Sequence, residues 1–530
     1  MNTALKDLFE VLKYECKKEP AVCGSGLESL DDFYLRYLDF LTTIKRDQNP
    51  SQKLSLYFGS VDIEKCYDNI NQDHLLTLTR GHIAAEDYLI QKEKTLKTIG
   101  DIQHVEGRRR IIQNSRWQIG PPEAYDPLHR SNVHQSPERR TSRSVLLGTV
   151  KCSLAKRGNL LGLLQEHLKQ NLLVSAGRYG NRYFMQNNGI AQGSILSTLL
   201  CNLYYGNIEK QILIEGCHDS ADAPIGETRT GIPSRSLLAR LVDDFIFITT
   251  KKDDLSSFIH KMSKGKPELG AKINKEKTVL STSIEGMAVF EKGTSANGSN
   301  RDDPDASTTC STCMTSMFPW CGMLFNTGTG EVRVDYSRFA SNKARNSLTV
   351  DRAGGEGQRL QIRMIGFVRP RCLSILFDQS INGFRVVVTN YYHMMLFGAI
   401  KTLEYINSSD LNFENATSVK HFLRCVEQLS HAALCFIRGA LKKASLDHNR
   451  SVGGASSSSK LCLSSNTATW LCWKAFDIIF SQQPGFMDLS SRLSSELSRK
   501  GEHPALHGIV EDSLREFYDL GLLPLQVNKR

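Results

Sequence analysis

The stretch "LLARLVDDFIFITT", from Leu237 to Thr250, constrains the fold most. Two runs rich in Leu, Ile and Phe enclose two adjacent carboxylates, Asp243 and Asp244. Such runs predict buried strands, and Asp tolerates turn geometry, so the segment predicts a core hairpin with an acidic turn. Turn chemistry alone accounts for the pair. Metal-assisted catalysis accounts for it too, provided that another core strand supplies a further acid, because a two-metal site needs carboxylates converging from separate strands. "YFGSVDIEKCYD" supplies one. Asp62 lies between Val61 and Ile63 at the end of a strand-like run. An acid with buried neighbours is costly unless a metal or hydrogen bonds compensate.

The rest of the chain bounds what such a hairpin can serve. Its 530 residues suffice for two or three domains. Lys and Arg number 66 against 56 Asp and Glu, a net charge of +10 that permits a nucleic-acid partner without demanding one. The 14 cysteines are scattered through apolar segments such as "LSTLLCNLYY", which suits small hydrophobes in a reduced, intracellular protein. Cys310-x2-Cys313, with Cys321 further on, is the one metal-like spacing, and no second such pair follows. No run of 18 apolar residues is present, so no membrane span is expected. The charged N-terminus carries Leu5, Leu8, Phe9 and Leu12 at helical spacing and is no signal peptide.

Further along, a helix is expected over "QDHLLTLTRGHIAAEDYLIQKEKTLKTIG" (72–100). Residues 101–182 form a basic region with "GRRR" at Arg108–Arg110 and a second cluster at Arg139–Arg140. Its middle, Arg116 to Arg143, is expected to be loop. "NLLGLLQEHLKQNLLV" predicts a helix and "RYFMQNNGI" a strand. A long buried helix should open at Gln192, Gly193 and Ser194. An amphipathic helix is expected at 251–265, a strand within "GAKINKEKTVLST", a flexible insertion at 291–316 and a hairpin around Thr327–Gly330. From 337 onward the pattern is mainly helical, with a loop at 452–460.

Taken in order, "VDIEKCYD", "GIAQGSILS", "LVDD", "GAKINKEKT" and "WCG" resemble reverse-transcriptase motifs A, B′, C, D and E. The wording resembles the telomerase reverse transcriptase family in particular. The third motif reads LVDD rather than the retroviral Tyr-x-Asp-Asp, the WCG hairpin is present, and a long basic insertion separates motifs A and B′. The resemblance implies an α+β fold: a right-hand polymerase palm, with an antiparallel sheet backed by helices and a basic fingers-type insertion, followed by a mainly α-helical thumb. The boundaries it suggests are about 1–50 for a residual N-terminal helical segment, about 51–330 for the palm with its insertion at about 81–182, and about 331–530 for the thumb. It further implies a form shortened at the N-terminus, since no fingers motifs 1 and 2 and no RNA-binding domain precede motif A.

The roles implied are these. Asp62, Asp243 and Asp244 would bind Mg²⁺, with the backbone carbonyl of Ile63 as a further oxygen. Lys277 would act on the leaving pyrophosphate, with Lys275 as a neighbour. Tyr67 would pack under the incoming sugar, while Asp68 reads as a helix cap. Gln192, Gly193 and Ser194 would lie along template and nucleotide, although Ala191 stands where the family usually has proline. Trp320, Cys321 and Gly322 would grip the primer. Arg359, Arg363, Arg369 and Arg371 would contact phosphates. The partners implied are a separate telomerase RNA serving as template, the telomeric DNA 3′ end and deoxynucleoside triphosphates. The place implied is the nucleus, at chromosome ends. A retroelement-type reverse transcriptase and a catalytically silent nucleic-acid-binding fragment are the alternatives.

Overall fold

The computed structural model describes residues 2–47, 54–99, 110–122, 144–177, 180–215, 235–284, 317–340, 347–348, 356–409, 416–452, 461–501 and 503–523. The expected insertion at 291–316, with Cys310 and Cys313, lies outside them, as do Arg108, Arg109, Arg139 and Arg140.

The chain is mixed α+β. Helices α1 (Lys6–Lys18) and α2 (Leu30–Asp47) precede strand β1 (Tyr57–Ile63) and helix α3 (Gln72–His82). Strands β2 (Asp87–Ile99), β3 (Arg110–Gly120) and β4 (Ser144–Lys156) follow, then α4 (Arg157–Lys169) and the hairpin β5 (Leu172–Gly177) and β6 (Gly180–Met185). Next come α5 (Ser197–Glu215), β7 (Ser236–Leu241), β8 (Asp244–Thr249), α6 (Lys252–Lys264) and β9 (Ile273–Leu280). Strands β10 (Met317–Trp320), β11 (Met323–Asn326) and β12 (Val332–Val334) lead into helices α7 (Glu356–Val368), α8 (Ser374–Phe377), α9 (Phe384–Asn407), α10 (Ala416–Val452), α11 (Ser465–Ser481), α12 (Met487–Arg499) and α13 (His507–Asp519). Among the described residues no helix is long and apolar enough to cross a membrane.

The central sheet is antiparallel, in the order β7-β8-β1-β9. Alternation along its strands divides it into two buried faces. Phe58, Ile246, Ile248, Leu237 and Ala239 face α2, the β10–β12 sheet and the C-terminal helices. Val61, Ile63, Phe245, Phe247 and Leu238 face α5, α6 and the N-terminal α1. Stacked ring pairs fix both contacts: Phe58 on Phe318 at 5.3 Å, and Phe247 on Phe258 of α6 at 4.5 Å.

Three expectations fail here. The helix foreseen over 72–100 stops at His82, and residues 87–99 form β2. Lys, Glu and Gln favour helix locally, but β2 pairs with β3 on one side and β4 on the other, and Tyr88 and Ile90 are buried. The stretch expected as loop contains part of β3. The cap of α3 is Asn71, whose side chain accepts from the amides of Asp73 and His74; Asp68 is exposed and caps nothing.

Arg371, expected to meet phosphate, is instead enclosed. Its guanidinium lies 4.4 Å from the centre of Phe397, 5.2 Å from Phe339 and 5.8 Å from Tyr336, and Nη1 donates to the Phe367 carbonyl at 2.9 Å. It ties α7 and α9 to the segment after β12. Arg371→Ala is expected to cost about 2 kcal/mol in denaturant unfolding. Arg371→Lys should recover only part of this, because an ammonium cannot stack as a plane.

Candidate active site

The register of β1 against β8 sets Asp62 directly across from Asp244. β7 and β8 close through a two-residue turn, Val242–Asp243, with Leu241 opposite Asp244. Val242 has a φ of 63° while Asp243 is not left-handed, the pattern of a type II′ hairpin, which normally puts glycine first. A β-branched residue is strained there. The Asp243 carbonyl accepts from the Ile63 amide at 3.1 Å, so the turn is stitched to the end of β1. Asp243 thus stands in the turn and Asp244 opens β8.

Three groups converge on these acids. Asp244 accepts from Ser60 Oγ at 3.1 Å and from Cys321 Sγ at 3.6 Å. Lys277 Nζ lies 3.1 Å from Asp62 Oδ2; the lysine side chain is 65% exposed and the aspartate 16%. A bulge brings the lysine in. Between the pairs Ser60–Val279 and Asp62–Asn274, Val61 on β1 is matched by Lys275–Thr278 on β9. The Asn274 side chain accepts from the amides of Glu276 and Lys277, which fixes the bulge. Lys275 is exposed and makes no such contact with Asp62.

The local field is acidic. Burial, with repulsion from Asp243 and Asp62 added, pushes the Asp244 carboxyl up to about 6 despite the bonds from Ser60 and Cys321. Burial raises Asp243 as well. The hydrogen bond to Asp62, together with that acid's charge, holds the Lys277 ammonium above the usual lysine range. Burial and the neighbouring Asp244 keep the Cys321 thiol protonated, so it is a donor.

The loop before α5 docks on the segment after β1. Ile190 donates to the Tyr67 carbonyl at 2.9 Å and Gly189 to that of Ile70 at 2.8 Å. The Tyr67 ring is half-buried, and burial raises its phenol while the Thr198 hydroxyl bonds it. Gln192 and Gly193 are exposed and Ser194 is half-buried. Helix α5 begins only at Ser197, so these three residues precede it rather than open it; Ser194 Oγ accepts from the Leu196 amide at 3.3 Å. Asn2 pins the loop from outside, through the Gly193 carbonyl and the Ile195 amide.

The WCG segment is a second tight turn. Cys321 (φ 46°) and Gly322 (φ 77°) join β10 to β11, a conformation that needs two left-handed residues. Trp320 itself is 3% exposed and packs on Phe33 of α2 at 4.7 Å, so it reaches no nucleic-acid strand directly. Only the turn's tip, Cys321–Gly322, approaches the carboxylates. Ser60 and Asn2 were missed from sequence. Ser60 alone left a signal, since it stands two residues before Asp62 on the same strand face.

Among the described residues no group of three or more His, Cys, Asp or Glu side chains is close enough to hold a metal ion. The oxygens of Asp62 and Asp244 are engaged by Lys277, Ser60 and Cys321. The donor chemistry nevertheless fits a hard divalent cation: three carboxylates gather at one sheet end, Asp243 and Asp244 are raised chiefly by burial with repulsion from neighbouring acids added, and one ammonium balances them.

The comparisons agree with one another. The family model "Telomerase reverse transcriptase, C-terminal extension" matches residues 358–489. The telomerase reverse transcriptase of Canis lupus familiaris is 28% identical over 524 residues, covering 97% of this chain and 42% of its own length. That of Bos taurus is 26% identical over 478 residues, covering 90% and 38%. This chain therefore spans about two fifths of the length of these curated relatives. The telomerase of Candida albicans, solved in complex with a TWJ fragment of telomeric RNA, shares the fold with a TM-score of 0.52 at 13% identity, covering 92% of this chain and 57% of that one. By the family model and the curated relatives, the chain belongs to the telomerase reverse transcriptase family.

Proposed function

We propose that this chain carries the polymerase centre of a telomerase and extends chromosome 3′ ends by RNA-templated DNA synthesis, with a separate RNA subunit as template. Asp62, Asp243 and Asp244 are the residues that would hold Mg²⁺. The chemistry such ions supply when bound is activation of the primer 3′-hydroxyl and neutralisation of the triphosphate and leaving pyrophosphate. Lys277 sits beside Asp62 and can present its ammonium proton to a leaving phosphate oxygen. Tyr67, near enough to Asp243 to feel its charge, would wall the floor beside the carboxylates, and the open backbone at Gly193 would let a strand approach closely. The Cys321–Gly322 turn would hold the primer end against Asp244. The central sheet with its flanking helices is the palm of this reading and the helices from α7 onward are its thumb. Deoxynucleoside triphosphates, telomeric DNA and telomerase RNA are the partners, and the nucleus is the place of action.

The observation that carries this reading is the pairing of Asp62 with Asp244 across β1 and β8, with Lys277 and the Cys321–Gly322 turn converging on the same pair. Primer extension tests it. The chain is assayed with Mg²⁺, a telomeric primer and telomerase RNA, alone and with the further segments of its longer relatives supplied in trans. Extension only with telomerase RNA is the expected result. Equal copying of unrelated RNA would replace the reading with a general reverse transcriptase. A second reading is a silent nucleic-acid-binding unit, favoured by the lack of a ready three-ligand cluster among the described residues. Primer–template binding without extension under every condition would establish it.

A further inference from the structure

Arg240 heads the fully buried side chains by volume, with no exposed surface. It lies on β7 across from Phe245, on the sheet face turned away from the carboxylates. A buried guanidinium is costly unless every proton finds an acceptor. Here Nη1 donates to Asn202 Oδ1 and to the Val242 carbonyl, both at 3.0 Å. Nη2 donates to the Cys23 carbonyl at 3.1 Å and the Asn202 carbonyl at 3.3 Å. Nε faces Glu209 Oε2 at 3.7 Å, a charge pairing too long for a hydrogen bond. Glu209 is satisfied separately by the amide and hydroxyl of Ser25. The rings of Phe245 and Tyr205 flank the guanidinium at 5.4 and 5.9 Å.

One of these bonds differs in kind from the others. Val242 is the strained residue of the turn that carries Asp243, and left alone it would relax toward an ordinary φ. Asn202, the other Nη1 acceptor, is on α5, directly after the Gln192–Ser194 loop. We infer that Arg240 is a positioning residue: it tethers the strained Val242 carbonyl to α5 and so aims Asp243 and Asp244 relative to Asp62 and the loop. Lysine cannot replace it, because a single ammonium does not present two parallel pairs of donors. The inference rests on the polymerase reading above, but its first test does not.

Hydrogen exchange on the full chain provides that test. In Arg240→Lys, exchange of the 237–250 segment should rise about tenfold or more while the C-terminal helices keep their protection. A control in that helical core, Leu434→Ala, should do the reverse. Glycine takes a left-handed φ without strain, so Val242→Gly in the Arg240→Lys background should restore most of the lost protection, which a general packing defect would not allow. In primer extension, Arg240→Lys should lower kcat about a hundredfold with primer KM unchanged, and the added Val242→Gly should recover about tenfold of it. Wild-type protection of the turn in Arg240→Lys, or no rescue by Val242→Gly, overturns the inference. A wild-type chain that never extends primers overturns the polymerase reading alone, and exchange at the turn still decides the role of Arg240.

Discussion

Asp62→Ala and Asp243→Ala are each expected to lower primer extension by about a thousandfold or more, roughly 4 kcal/mol of transition-state stabilisation, while the chain stays folded. The local field is what keeps these variants folded. These acids crowd one sheet end, so removing Asp243 relieves repulsion, and removing Asp62 frees a Lys277 ammonium that is largely exposed and solvated by water. Asp244 shows the sign most clearly. Its folded carboxyl is pushed up to about 6 from an ordinary 3.8, so folding takes up a proton between those values. At pH 7 the ionised acid therefore destabilises the folded state, and stability returns as pH falls through about 6. In metal-free buffer at pH 7, Asp244→Asn should therefore unfold later than wild type, by up to about 3 kcal/mol, and the difference should shrink toward pH 4. Excess Mg²⁺ should favour wild type over the variant, since only the ionised site gains from the cation. Thermal unfolding across pH, with and without Mg²⁺, reads both effects. A variant that unfolds earlier than wild type at pH 7 without metal would refute the field argument, and normal extension by Asp62→Ala or Asp243→Ala would refute the site.

The β7–β8 hairpin is legible in the sequence because its signals are local: two apolar runs, a two-residue turn and an acid pair. The order of the five motifs carries the family for the same reason. What sequence does not carry is pairing at a distance. β2 has the composition of a helix and becomes a strand only because β3 and β4 reach it from both sides. Lys277 looks like any solvated strand lysine until the β9 bulge tips it onto Asp62. Trp320 looks like a ligand platform, yet Phe33, some 290 positions earlier in sequence, covers it. Arg240 left a legible trace, a lone charge within "LLARL" at a strand position between buried neighbours. Its four acceptors come from Cys23, Asn202 and Val242, so its role needs the fold.

Gly189→Ala is expected to cost about 3 kcal/mol of stability, and Gly193→Ala only about 1 kcal/mol, although both glycines are left-handed. Gly189 has a φ of 76° and Gly193 of 86°, so the conformational strain on adding a Cβ is similar. Space separates them. A Cβ on Gly189 would lie 2.5 Å from the Tyr67 carbonyl oxygen and 2.7 Å from Asp68 Cα, and backbone cannot swing aside as a side-chain tip can. A Cβ on Gly193 meets nothing within 4 Å. The close approach at Gly189 is what lets Ile190 bond the Tyr67 carbonyl and the Gln72 side chain bond the Gly189 carbonyl. Pushing the loop off would loosen both the backbone that carries Tyr67 and the path of Gln192 and Gly193. Denaturant midpoints at unchanged slope measure the two costs. On the polymerase reading, Gly189→Ala should also weaken discrimination against ribonucleotides, because the Tyr67 backbone loses its anchor to the loop, while Gly193→Ala should chiefly raise KM for the template–primer. Equal midpoint shifts for the two variants would mean that φ alone sets the cost and that the loop does not depend on its contact with Tyr67.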